Sequence, residues 1–148
     1  MANYRKSPVL IGFLSLILCF SVSPAFCSDY DNIKVHPLLK TTITTDGRKL
    51  SYPKTDMPEV TVVIVEISAG GETGWHTHPV PVYAYVLAGE LAVETDGGEK
   101  HSFKEGDAIV EVVNTVHNGR NAGKTPVRLV VFYTGVEGSP NTIRVQHR

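Results

Sequence analysis

Apolar and polar positions divide this chain into three textures. Residues 9–20 (VLIGFLSLILCF) form an unbroken apolar run without charge. From about residue 41 to residue 134, short β-branched or alternating segments are separated by glycine-bearing turns. Beyond that, residues 134–148 are polar and irregular. In the middle stretch, residues 41–52 read as a hairpin, because Asp46-Gly47 sits between β-prone runs and glycine tolerates positive φ. Residues 59–67 (EVTVVIVEI) read as a buried strand by their β-branched content. A glycine-rich turn at 70–74 leads into one long strand over about 75–87, and Gly89 then bends the chain. Further strands are expected at 91–95, 100–103, 108–113, 116–120 and 127–133, with tight turns at Asp96-Gly97-Gly98 and Gly106-Asp107. No helical stripe of useful length follows residue 28. Short strands at regular spacing predict an all-β sandwich or barrel.

The apolar run near the N-terminus changes the domain count. Arg5 and Lys6 precede it, and small residues around Ala25 and Cys27 follow it. That order reads as a secretory signal peptide over residues 1–27, and Pro24 comes too soon for a good spanning helix. Residues 28–148 are then one domain with a core over about 41–134, exported to the periplasm or secreted, with no stable membrane span once the signal is cleaved. The signal holds two of the 14 basic residues and none of the 15 acidic ones, which leaves the domain mildly acidic. Its scattered Lys and Arg do not make a nucleic-acid surface. Cys19 and Cys27 are the two cysteines, and both fall in the signal, so the domain is expected to be stable through packing or ligand binding.

The chemistry is concentrated in Gly74-Trp75-His76-Thr77-His78-Pro79. Two histidines at i and i+2 on a strand share a face, about 7 Å apart. Neutral imidazoles that close together suit one metal ion, although an HxH pair alone is also what two exposed histidines look like. His117, on a separate expected strand, is the third candidate. Val80, Val82 and Ala84 share the parity of the histidines, and with Ile109 they are the expected apolar lining of a pocket. Trp75, Tyr83 and Tyr85 have the opposite parity and are expected outside the barrel or at a subunit contact. Glu66, Glu72, Glu90, Glu94, His36, His101 and His147 are expected on the surface.

The joint spacing of these residues resembles the cupin superfamily. The first cupin motif runs Gly, five residues, His-x-His, three or four residues, Glu, six residues, Gly. Here Gly70, His76, His78 and Gly89 fall in register. The second motif runs Gly, five residues, Pro-x-Gly, two residues, His, three residues, Asn, and here Gly106, His117 and Asn121 match. Residues 90–105 are a short spacer of the kind small bacterial cupins have. Two departures stand out. Val82 occupies the position of the motif glutamate, and Asn114 that of the second-motif glycine, where asparagine tolerates a left-handed backbone. Glu111 is the candidate to replace the missing carboxylate, since a lone glutamate among Ile109, Val110, Val112 and Val113 is costly to bury unless paired or metal-bound. The alternative is that the strand turns outward there and Glu111 is solvated.

The resemblance implies a double-stranded β-helix barrel of jelly-roll type. It also implies one divalent transition metal ion (Fe, Mn, Ni, Cu or Zn) held by His76, His78, His117 and Glu111. A homodimer and a small, partly apolar substrate are expected, with dioxygenase-like or isomerase-like chemistry. The alternative from another class is a module that binds a metal or small ligand without turning it over.

Overall fold

The computed structural model describes residues 32–146. The expected signal peptide and His147 lie outside them. The chain divides into two units, Met1–His36 and Pro37–Arg148. Of the first, residues 32–36 are described and carry no strand. Every strand belongs to the second.

Nine strands form two antiparallel sheets, and there is no helix among the described residues. In chain order they are β1 Pro58–Ile67, β2 His76–Thr77, β3 Val82–Ala88, β4 Glu90–Thr95, β5 Lys100–Lys104, β6 Ala108–Val110, β7 His117–Arg120, β8 Val127–Val136 and β9 Ile143–Arg144. One sheet has the order β1-β8-β3-β6 and the other β5-β4-β7-β2-β9. The two close on each other as a double-stranded β-helix, which is the all-β barrel expected from the turn spacing.

The core follows from period-two alternation. On β8 the odd positions Val127, Leu129 and Val131 are buried, and on β3 the even positions Val82, Ala84 and Val86 are. Their registers interlock, with Val82 opposite Tyr133, Ala84 opposite Val131 and Val86 opposite Leu129. Ile67, Leu91 and Ile109 complete the cluster. Each of these side chains except Ala84 contributes about 1.5–3 kcal/mol on burial. The outer face of β1 is different: Val60, Val62 and Ile64 are 63%, 52% and 53% exposed.

The turns carry the expected chemistry. Gly89 has φ +82°, and a Cβ there would stand 2.8 Å from the carbonyl oxygen of Pro126, so the bend into β4 accepts only glycine. Asn114 takes φ 55°, the left-handed conformation expected of it as the stand-in for the motif glycine.

Four expectations are corrected. The long strand over 75–87 is two strands in different sheets, because Pro79 and Pro81 interrupt the ladder between them. The hairpin over 41–52 keeps its turn, with Gly47 at φ +79°, but its arms meet only at the bridge Ile43–Lys49. Thr45 instead donates its backbone N–H and its hydroxyl to the carbonyl of Val110, which docks the turn on β6. The strand expected over 108–113 stops at Val110 as the chain enters the turn at Asn114. The tail is not irregular throughout: β8 runs on to Val136, and β9 adds an edge to β2.

Candidate metal centre

The histidines converge because of strand register. β2 and β7 pair with His76 directly opposite His117, so the two side chains emerge on one face, and His78 shares that face two residues on. All three are buried, with exposures of 8%, 3% and 2% for His76, His78 and His117. Their potential ligand atoms all lie within 4.8 Å of one another.

Each imidazole is oriented by the protein backbone. His76 Nδ1–H donates to the carbonyl of Gly74 at 2.7 Å, His78 Nδ1–H to that of Asn141 at 2.8 Å, and His117 Nδ1–H to that of Thr115 at 2.9 Å. A ring that donates through Nδ1 presents a lone pair at Nε2. Three such lone pairs therefore point inward. His76 Nε2 and His78 Nε2 lie 3.2 Å apart, two acceptors face to face with no proton to share, and His117 Nε2 is buried without a hydrogen-bond partner. That is unfavourable unless a cation stands between them. Fixing the tautomer through the other ring nitrogen is also how metal-ligating histidines are held.

Glu111 completes the group. Its Oε2 lies 3.3 Å from His78 Nε2 and 3.4 Å from His117 Nε2, and its side chain is 17% exposed. The strand does not turn outward at residue 111. The backbone N–H of Glu111 donates to the carbonyl of Val82, continuing the register in which Tyr83 faces Val110. Positions 82 and 111 are therefore cross-strand neighbours. A carboxylate carried at 111 enters the barrel beside the place where one at 82 would stand, reaching the histidines from the adjacent strand. Ligand atoms 3.2–3.4 Å apart are the spacing expected around an ion with bonds of about 2.1 Å.

The protonation states follow from burial and from the carboxylate. Burial pushes the His76 imidazole down to about 4, so it is neutral, as a ligand must be. Burial alone would raise Glu111, but the imidazoles of His117 and His78 against its carboxylate outweigh it and hold the carboxyl down to about 2. Burial opposes the charged form of His117 as well. The Glu111 carboxylate 3.4 Å from Nε2, the bond to the Thr115 carbonyl and the negative charge of Asp46 outweigh it, and the net shift is upward. The shift favours a proton on His117 beside Glu111 in the metal-free protein, and a metal ion there would compete with that proton.

Beside these four residues lies a cavity of about 160 Å³. Its apolar walls include Val65 and Ile67 of β1, Leu91 and Val93 of β4, and Leu129 and Val131 of β8. The expected lining is placed elsewhere. Val80, Val82 and Ala84 are interior, at 4%, 0% and 5% exposure, but Val82 and Ala84 belong to the packed core and none of the three walls this cavity. Parity gives the face of a strand and not the depth at which a side chain sits. Ile109 walls a much smaller cavity that it shares with Glu111 and His117.

Besides the apolar walls, four polar lining residues did not figure among the expected site residues: Thr73, Tyr133, Thr142 and Arg144. Tyr133 meets His78 edge-on at a centroid distance of 5.6 Å, and burial raises its phenol above the usual value. Its signal was legible, since it shares the odd parity of Val127, Leu129 and Val131. Thr142 Oγ1 lies 3.2 Å from His78 Nδ1. It immediately precedes β9, and Arg144 lies in that two-residue strand, which is too short to leave a period in the sequence. Glu72, placed on the surface as expected, pairs with Arg120 and accepts from Asn118. His101 is half-buried and not a free surface residue, with its Nε2 enclosed.

Residues 63–133 match the family described as Cupin domain. The Oryzines biosynthesis cluster protein J of Aspergillus oryzae is 32% identical over 98 residues, which cover 66% of this chain and 54% of that protein. The chain thus spans about half the length of this curated relative. A DMSP lyase from Ruegeria pomeroyi DSS-3 superposes with a TM-score of 0.51 at 21% identity, over 61% of this chain and 44% of the lyase. An oxalate decarboxylase from Lactobacillus farciminis, solved as a formate complex, gives 0.51 at 23% identity over 58% of this chain and 26% of the enzyme. At these identities the two structures speak for the fold.

Proposed function

Because this chain belongs to the cupin superfamily, with its cupin domain at residues 63–133, we propose that it is an exported metal-dependent enzyme acting on a small, partly apolar molecule. The reaction class we favour is dioxygenase-like or isomerase-like. The observation that carries the reading is the 3.2 Å approach of two Nε2 acceptors beside the Glu111 carboxylate, at the wall of an apolar cavity.

His76, His78 and His117 would hold one divalent transition metal ion, with Glu111 as the fourth protein ligand. Histidine with one carboxylate suits Fe, Mn, Ni, Cu or Zn. Such an ion supplies Lewis-acid or redox chemistry to a substrate oxygen. The chain's own residues do the rest. The carbonyls of Gly74, Asn141 and Thr115 keep the Nε2 lone pairs aimed, and the β1, β4 and β8 side chains exclude water from an apolar substrate body. The DMSP lyase and oxalate decarboxylase that share the fold act on small molecules by their names, which agrees with the size of this cavity.

One observation favours the second reading, a non-catalytic binding module. The cavity offers no free general base, since Glu111 is engaged with His78 and His117. The test is metal analysis of the protein purified from the exported fraction, followed by O₂-uptake and isomerisation assays with small phenols and diketones. Stoichiometric metal with turnover supports the enzyme. Stoichiometric metal with binding and no turnover supports the module. No metal under any loading refutes both. Export is tested in the same material, where the mature N-terminus should begin near residue 28. A homodimer is also proposed, supported by the exposed apolar outer face of Val60, Val62 and Ile64, and a monomeric mass by light scattering would overturn it.

A further inference from the structure

We propose that Arg144 is the anchor for a carboxylate on the molecule bound in the cavity, making the substrate a small monocarboxylate with an apolar body. The inference rests on reading that cavity as the substrate site beside the metal.

The placement of Arg144 comes from β9. Register sets Arg144 directly opposite His76, and Thr77 opposite Ile143. Residues directly opposite in an antiparallel pair share a face. Arg144 and Thr142 share the face of His76; both are exposed residues that reach the cavity wall from outside, and Thr142 touches His78. Ile143 has the opposite parity and does not line the cavity. A Cβ at Gly74 would stand 3.4 Å from Arg144 Nη1, so the guanidinium lies against the turn that feeds β2 and its metal ligands. Both Thr142 and Arg144 line the cavity.

The charge of Arg144 is uncommitted. Among the described residues no carboxylate forms an ion pair with it, whereas Arg48, Arg120 and Arg128 each have an acidic partner. Glu111 is the one acidic residue lining the cavity, and it is engaged with two histidines. An anion entering the cavity therefore meets a planar guanidinium whose fork matches a carboxylate. The remaining wall is aliphatic. A cavity of about 160 Å³ is close to the size of the apolar cavity of about 150 Å³ that holds benzene. A carboxylate on a body of about that size satisfies both ends.

Benzoate and its neutral isostere benzamide separate charge from shape. Their affinities are measured by calorimetry on the metal-loaded full-length mature protein, for wild type, Arg144→Gln and Arg144→Lys. Wild type should prefer benzoate. Arg144→Gln should bind benzoate about tenfold to a hundredfold more weakly, with benzamide affinity and metal content unchanged, and Arg144→Lys should recover part of the loss. Equal benzoate affinity in wild type and Arg144→Gln overturns the proposal, as does a wild type that binds neither probe or does not distinguish them. Should Arg144→Gln fail to fold, the comparison of wild type with Arg144→Lys decides, an equal affinity for both probes in both proteins counting against the anchor. The series is repeated after chelator treatment. A protein that never holds metal refutes the metal reading, while the wild-type to Arg144→Gln ratio for benzoate still judges the anchor.

Discussion

Replacing Glu111 with glutamine keeps the shape of the side chain and removes its charge, which makes two consequences measurable. The first concerns the metal-free protein. The carboxyl is held down to about 2 against an ordinary value of 4.5. At about 1.4 kcal/mol per pH unit, that depression corresponds to about 3 kcal/mol at neutral pH. A depressed carboxylate stabilises the fold above its unfolded value of 4.5, and the contribution fades as pH falls toward 2. Glu111→Gln should therefore lose up to about 3 kcal/mol at pH 7, less whatever the amide keeps by hydrogen bonding, and the difference from wild type should shrink on acidification. The second consequence concerns metal. Removing a partner that only orients a ligand typically costs about 10- to 100-fold in affinity, so removing a ligand should reach at least the upper end. Urea unfolding of chelator-treated protein at pH 7 and pH 3 measures the first effect, and competition with a chromophoric chelator measures the second. A Glu111→Gln protein that holds metal as tightly as wild type, at the same stoichiometry, would refute Glu111 as a ligand. An unchanged urea midpoint at pH 7 would refute the electrostatic reasoning.

His76→Ala, His78→Ala and His117→Ala should each lose stoichiometric metal while keeping the β-sheet circular dichroism of wild type. Retention of a full equivalent in any of them removes that histidine from the site. Metal binding below pH 6.5 should release a proton, because the His117 value is raised above that in the metal-free protein, and the binding enthalpy there should vary with the ionisation enthalpy of the buffer. By the same shift, the stability that His117 adds to the metal-free protein is present below pH 6.5 and is lost as pH rises through its folded value. Asn121→Ala should cost about 2–4 kcal/mol in urea unfolding. Asn121 is fully buried, its amide donates to the carbonyls of Ile67 and Thr125, and its oxygen accepts from the backbone N–H of Gly123. Its variant should nevertheless bind metal normally, since it touches none of the ligands.

The parts of this architecture with a local signature were legible in the sequence. Period-two alternation and the glycine turns located β1, β4, β5, β7 and β8 to within a few residues, because burial of one face and positive φ both constrain residue type. The three histidines were legible through motif spacing, and Asn114 through its tolerance of the left-handed region. The arrangement of Glu111 was legible only as a choice between two outcomes. Whether a strand continues in register past Val110 depends on the hydrogen bond to Val82, a contact 29 positions back in the chain. The lining of the cavity was misassigned for a related reason. Alternation tells in from out, but among equally buried side chains it does not tell which border the cavity: Ile67 and Leu91 do, and Val82 and Ala84 of the same core do not. Strand β9 had no signature at all, since two residues cannot show a period.

That short strand has a consequence for timing. Strand β9 lies at the edge of its sheet, held through Arg144 and Ile143 and by the bond from Val145 N–H to the Trp75 carbonyl. Segments anchored this lightly open locally at a small fraction of the free energy of global unfolding. When this one lifts, Asn141 withdraws the carbonyl that orients His78, and Thr142 and Arg144 leave the cavity wall in the same movement. Opening of this segment is therefore expected to set how long a ligand stays, while the barrel beneath it sets heat resistance. Substitutions that tighten the edge strand should slow ligand dissociation in stopped-flow measurements and leave the melting temperature almost where it was.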